Sequence, residues 1–310
     1  MAPTAWQCRG DWLAITGAWI FLLIFTASGC ASLKKQQVVP DSVSTCRQLS
    51  REGAAAMERN QWGEARALLE QAVEASPSDL DSRRQLAEAL WRLGSVQEAA
   101  VHMEAAVRLD PQHVPTLVRS GEMLLGLGAV ERALARAEEA IALDSAQAGA
   151  WVLRGRVFRR QGDRDRALAD LHQSLRYNPR AVDVLIDVAE LQYQLERPQR
   201  CLTTVQQALG ASAPGQESRR ALWVAGLAYS ALNRPGDAAA ALYAASLQGQ
   251  PHPELLYELA RAQRASGHPD EAVATARQAL AANGGHEPSR ALLAQLEGGG
   301  AAGVDVPLRR

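Results

Sequence analysis

The sequence predicts an all-α fold assembled from a repeated pair of helices, and three observations carry that prediction. The first is composition. Hydrophobic residues make up 47% of the 310, yet only 5% are aromatic. Alanine dominates the apolar set, and the long runs lack the β-branched clusters and turn-bounded alternation of strands. The second is a period: Ala65, Ala99, Ala133, Ala167 and Cys201 are spaced by 34, Ala238 follows after 37, and Ala272 after another 34. The third is punctuation. Asn60, Gly94, Gly128, Gly162, Asn233 and Gly267 recur in one register, and Gly and Asn tolerate the left-handed conformation that ends a helix.

Two further columns share the period. One runs Gly53, Ala87, Gly121, Gly155, Ala189, Gly226, Ala260; the other runs Ala72, Ala106, Ala140, Ser174, Ala208, Ala245, Ala279. With the first column these make twenty-one positions, all Ala, Gly, Ser or Cys, although those four types are only about one residue in three of the chain. Small side chains let helix axes approach near the low end of ~8–10 Å. The punctuation column holds Glu196 in the fifth repeat, so the run Glu196-Arg197-Pro198 predicts a different turn there. Pro77, Pro111 and Pro179 stop the second helix of repeats one, two and four, and Pro214 and Pro251 do the same one residue late.

This pattern resembles the tetratricopeptide-repeat (TPR) family, whose 34-residue unit is a helix–turn–helix with small residues in these columns. The resemblance implies a right-handed superhelical solenoid of seven repeats, at 46–79, 80–113, 114–147, 148–181, 182–218, 219–252 and 253–286. The three extra residues of the fifth fall in Gly210–Ser218. Residues 287–297 (EPSRALLAQLE) predict a capping helix over the apolar face of the last repeat, and 298–310 a flexible tail.

The resemblance also implies where partners bind: positions 2, 5, 9 and 12 of each first helix line a concave groove. Carried onto this chain, the groove holds Arg84 and Trp91 in repeat two, Arg156 and Arg159 in repeat four, and Tyr193 in repeat five. Repeat six adds Arg220 and Trp223, and repeat seven Tyr257, Arg261 and Arg264. Aromatics and arginine are enriched at binding hot spots because they bury large area and make directed hydrogen bonds. A competing reading packs the aromatics between neighbouring repeats and leaves the arginines solvated. The Lys and Asn of chaperone-binding carboxylate clamps are absent; the corresponding positions hold pairs such as Arg84/Glu88 and Val152/Arg156.

Ahead of the repeats, Leu13 to Ala27 is an uncharged apolar stretch of 15 residues, short for a membrane span but suited to the core of a signal peptide. Ala27-Ser28-Gly29-Cys30 resembles a bacterial lipobox, which implies a signal peptide over 1–29 and a lipidated Cys30. An uncleaved signal anchor and a misassigned start are the alternatives. Residues 30–45 read as a polar tether. Lipidation would place the chain on the bacterial cell envelope, at the outer membrane or the periplasmic face of the inner membrane; by the enterobacterial sorting rule Ala31 after the cysteine suggests the outer one.

Other functions find little support. With Lys+Arg 33 against Asp+Glu 34 the net charge is −1, so no global field favours nucleic acid. No nucleophile elbow, HExxH or phosphate loop occurs. The six histidines are scattered and read as solvated, and Cys46 and Cys201 are too far apart along a solenoid for a disulfide. The sequence therefore predicts a non-enzymatic scaffold with a protein or peptide partner, no cofactor, no metal and no small-molecule substrate. The bacterial TPR lipoproteins of the cell envelope that it resembles help assemble envelope complexes. Regulation of a cell-wall enzyme and self-association are the other readings.

Overall fold

The computed structural model describes residues 41–300 except Pro214, with side chains described to Gly298. The predicted signal peptide, Cys30 and most of the tether lie outside the described residues. Among the described residues are fifteen α-helices. They pair as α1 (Asp41–Glu58) with α2 (Trp62–Ala75), α3 (Leu80–Arg92) with α4 (Val96–Leu109), α5 (Val114–Gly126) with α6 (Val130–Leu143), and α7 (Ala148–Arg160) with α8 (Arg164–Tyr177). Then come α9 (Val182–Gln194) with α10 (Pro198–Ala211), α11 (Arg219–Ala231) with α12 (Pro235–Ser246), α13 (Pro253–Ala265) with α14 (Pro269–Ala282), and the unpaired α15 (Glu287–Gly300). The result is an all-α solenoid of seven helix pairs closed by a cap.

All twenty-one small residues of the three columns are buried. They sit where two helices of one repeat cross or where one repeat meets the next, which explains why the period is carried by small side chains rather than by large ones. Leucines and methionines such as Leu69, Leu86, Met103, Leu153, Leu171 and Leu242 fill the space between them, each less than 3% exposed. Successive first helices touch directly, as α1 with α3, α5 with α7, α9 with α11 and α11 with α13, while each second helix packs against the first helices on either side. The first helices therefore form the inner wall of the curve and the second helices the outer one.

Three local expectations need correction. The turn at Glu196 does not differ: its φ of +56° matches the +58° of Asn60 and +57° of Asn233. The backbone pair Glu196 N–H to Tyr193 O and Arg197 N–H to Gln192 O repeats the pair made at Gly162 and Asp163. Those two bonds satisfy the last carbonyls of α9 and hold a non-glycine residue in the left-handed region despite its steric cost. The tether is shorter than expected, because Asp41–Thr45 already belong to α1, with an acidic residue in the first turn where the helix dipole favours it. Pro251 does not stop α12, which ends at Ser246. The Ser246 hydroxyl donates to the Tyr243 carbonyl, and Gly249 turns the chain at φ +70°.

Candidate protein-interaction groove

The inner wall is lined by side chains of the first helices, and most of them are engaged with a neighbouring repeat. Trp91 on α3 is half-buried against the core of repeats one and two, with the Arg119 guanidinium 5.8 Å above its ring. A Cβ on Gly126 would stand 2.8 Å from the Trp91 ring, so that glycine leaves the space the indole fills. Arg119 also binds Glu88 (2.6 Å) and Glu122 (2.8 Å). Arg84 pairs with Asp81 and lines a hollow of about 400 Å³ together with Met57, Glu88 and Arg119.

In repeats four to six the structure gathers the other arginines around one acid. Asp187 on α9, with a side chain only 1% exposed, accepts from Arg156 Nε (2.9 Å) and Arg159 Nη1 (3.1 Å) on α7, and from Arg220 Nη2 (2.6 Å) on α11. Glu190 on α9 also binds Arg159 and Arg220. Burial pushes the Asp187 carboxyl up, but the three guanidinium groups outweigh it and hold the carboxyl below the usual range. The hydrogen bonds from Arg220 to Glu190 push its own pKa up, against the lowering effect of burial.

The aromatics of repeats six and seven repeat one contact. Trp223 meets His252 at a tilt of 58° with ring centroids 4.9 Å apart, and Tyr257 meets His286 edge-on at 5.9 Å. In each case a fifth-position aromatic meets the histidine that precedes the next first helix. Arg261 lies 5.6 Å above Tyr257 and pairs with Glu258, whose carboxyl is raised above the usual range chiefly by burial, with Arg261 opposing. Tyr193 packs at the margin of the core shared by α9, α10 and α11. Arg264 is exposed and donates to Gln295 of the cap. The structure thus gives the groove half-buried, packed aromatics and arginines tied to carboxylates, rather than free side chains.

Asp187 and Arg119 do not occupy the four groove positions read from the sequence. Their signal is a spacing: Arg156–Asp187, Arg159–Glu190 and Glu88–Arg119 are each 31 residues apart. That is one repeat less nearly one helical turn, the offset at which long side chains on adjacent parallel helices meet. His113, His252 and His286 are likewise not simply solvated. The ring of His113 accepts from the Thr116 amide at the start of α5, and His286 lies 3.1 Å from Glu254. Cys46 and Cys201 are both free and buried, and burial raises the Cys201 thiol to about 12. Among the described residues no group of His, Cys, Asp and Glu could hold a metal ion.

Two hollows, of about 550 and 520 Å³, flank the exposed Tyr243 of α12 and are bordered also by α13 and α14. The first is lined mainly by Tyr243, Leu247, Pro251, Leu255 and Leu256 with Arg219, His252 and Gln278, the second by small residues with Gln263, His268 and Glu271.

Tetratricopeptide-repeat models match residues 51–114, 152–214 and 253–296, together more than half of the chain. The chain belongs to the tetratricopeptide-repeat family. Among solved structures, pilF of Pseudomonas aeruginosa is 18% identical, aligned over 67% of this chain and 93% of that one, with a TM-score of 0.58. The Cut9–Hcn1 hetero-tetramer of the APC/C is 16% identical, over 81% of this chain and 48% of that one, at 0.67. YrrB, described as a TPR protein with an unusual peptide-binding site, is 18% identical over 61% of this chain and 96% of that one, at 0.52. At these identities the likeness is one of fold. No curated protein matches the sequence. The TPR chain is a protein-interaction module.

Proposed function

We propose that this TPR chain is a membrane-tethered adaptor that holds a protein or peptide partner in its inner groove, in the assembly of a bacterial envelope complex. The observation that carries the binding part is the inner wall itself: seven first helices presenting Trp91, Tyr193, Trp223 and Tyr257 between arginines already oriented by carboxylates. Side chains fixed in this way lose little conformational freedom when a partner arrives, which favours affinity. YrrB, similar in fold, is described with a peptide-binding site. The tether rests on the apolar stretch 13–27 and the Ala27-Ser28-Gly29-Cys30 run that follows it. Several acyl chains on Cys30 would exceed the two signals that stable anchoring needs.

Photo-crosslinking in the native envelope tests the binding part, with probes at Arg84 and Arg264 on the inner wall and at Val101, 65% exposed on the outer helix α4. A discrete partner captured from the inner positions alone is the expected result; identical products from both faces would overturn it. For the tether, a Cys30→Ser variant should lose fatty-acid labelling and leave the membrane fraction. Unchanged fractionation without labelling would point instead to a signal anchor.

A further inference from the structure

The cluster around Asp187 is unbalanced in charge. Three guanidinium groups, those of Arg156, Arg159 and Arg220, face two carboxylates, Asp187 and Glu190, which leaves one positive charge in surplus. Asp183, one turn earlier on α9, is exposed and pairs with none of them. The arginines are not used up by their partners either. Among the described residues, Nη1 and Nη2 of Arg156, Nε and Nη2 of Arg159 and Nη1 of Arg220 have no hydrogen-bond acceptor. Their side chains are 31%, 33% and 40% exposed, while Asp187 beneath them is 1% exposed. A buried acid therefore gathers three guanidinium groups from α7 and α11, each keeping N–H donors that have no acceptor among the described residues.

The surplus is local. In repeats two and three, Arg119 and Arg92 face Glu88 and Glu122, which balances. In repeat seven the acid equivalent to Asp187 is Glu258, and its one ion-pair partner among the described residues is Arg261. The sixth positions of repeats four and six hold Leu153 and Val224 and provide no such acid. Among the described residues, only at repeats four to six do neighbouring helices on both sides send arginines to one carboxylate.

Given the groove reading, which this inference rests on, we propose that the Arg156–Arg159–Arg220 fan recognises an acidic side chain, Asp or Glu, of an extended peptide segment of the partner. A carboxylate has the planar, two-oxygen geometry that matches the fork of N–H donors on a guanidinium. The fan lies in the middle of the solenoid, with Trp91 and Arg119 on one side of it and Trp223 and Tyr257 on the other. A bound chain passes over the fan and continues in both directions, so the carboxylate belongs to a side chain rather than to a chain end. Asp187 is a positioning residue: it touches no partner and sets the directions of the groups that do.

Selection of random twelve-residue peptides on the purified full chain tests this directly. The expected outcome is enrichment of peptides with one fixed acidic position among apolar or aromatic ones. Replacing that Asp or Glu by its amide should weaken binding about tenfold or more, and raised salt should weaken the acidic peptide more than its amide form. Arg156→Gln leaves Asp187 two arginines, so the chain should stay folded by circular dichroism while its preference for acid over amide shrinks. Enrichment without an acidic position overturns the proposal but leaves the groove reading intact. So does binding abolished by amidating the C-terminus and untouched by side-chain replacement. Failure to enrich any peptide on the inner wall counts against the groove reading itself, and this proposal falls with it.

Discussion

At the scale of single residues, a glycine in the second small column marks a place where a leucine fills the volume a side chain would need. A Cβ on Gly226 would stand 2.4 Å from Leu242 Cγ, and one on Gly53 would stand 2.7 Å from Leu69 Cγ. Where that column holds Ala87 or Ala189, the residue sixteen positions later is Met103 or Val205 instead of leucine. Gly226→Ala is expected to destabilise the chain by about 1–3 kcal/mol through overpacking, read by denaturant unfolding. Adding Leu242→Met, the pairing of repeat two, should recover part of the loss. At the fifth turn the sign reverses. Glu196→Gly relieves a left-handed non-glycine residue and should stabilise by about 0.5–1 kcal/mol. The two acids at equivalent positions give opposite pH slopes. The Asp187 carboxyl is depressed, so its contribution is present above the ordinary carboxylate pKa and is lost as pH falls through the folded value. The Glu258 carboxyl is raised, so its contribution is largest below the ordinary value and is lost as pH rises through the folded one. Asp187→Asn should flatten the acid limb of the stability curve and lower stability at pH 7 by about 2–3 kcal/mol, less than for a fully buried pair because the arginines are part-exposed. Glu258→Gln should be neutral or stabilising at pH 7.

At the scale of helices, the cap makes the most direct prediction. Leu292, 4% exposed, together with Leu293 and Leu296 of α15, covers Ala260, Ala272 and Ala276 of repeat seven. Truncation after Asn283 removes that cover, and burial of a leucine is worth about 1.5–3 kcal/mol. Hydrogen exchange should then show α13 and α14 losing protection while α3 to α8 keep theirs, because a repeat is supported mainly by its neighbours. The helices themselves were legible in the sequence: apart from α1, each first helix begins where the 34-residue register divides the chain, at Leu80, Val114, Ala148, Val182, Arg219 and Pro253. The register is legible because packing of small residues admits few substitutions. The polar ends are less so. Glu196 and Ser246 stop their helices by backbone and hydroxyl hydrogen bonds that residue type alone does not announce, and the start of α1 at Asp41 carries no column residue at all.

At the scale of the whole molecule, stability and recognition meet at the junction of repeats four and five. Backbone packing between neighbouring repeats is sparsest where α8 meets α9, and there Arg156 and Arg159 cross to Asp187 and Glu190. A solenoid unfolds as one unit only while its interfaces are strong enough to couple the repeats. Asp187→Asn is therefore expected to split thermal unfolding into two resolved transitions, whereas Gly226→Ala should shift one transition without splitting it; calorimetry distinguishes them. The groove was legible as a surface but not as a chemistry. Family positions point to Arg156, Arg159 and Trp223, yet which arginines are neutralised depends on residues one repeat away, and Asp187 lies at a position that faces the next helix rather than the partner. Whether the inner wall of repeats four to six receives the partner is read by hydrogen exchange of the full chain with and without a selected acidic peptide. Added protection is expected on α7, α9 and α11, with α8, α10 and α12 unchanged. Protection confined to the outer helices, or spread equally over both walls, would contradict it.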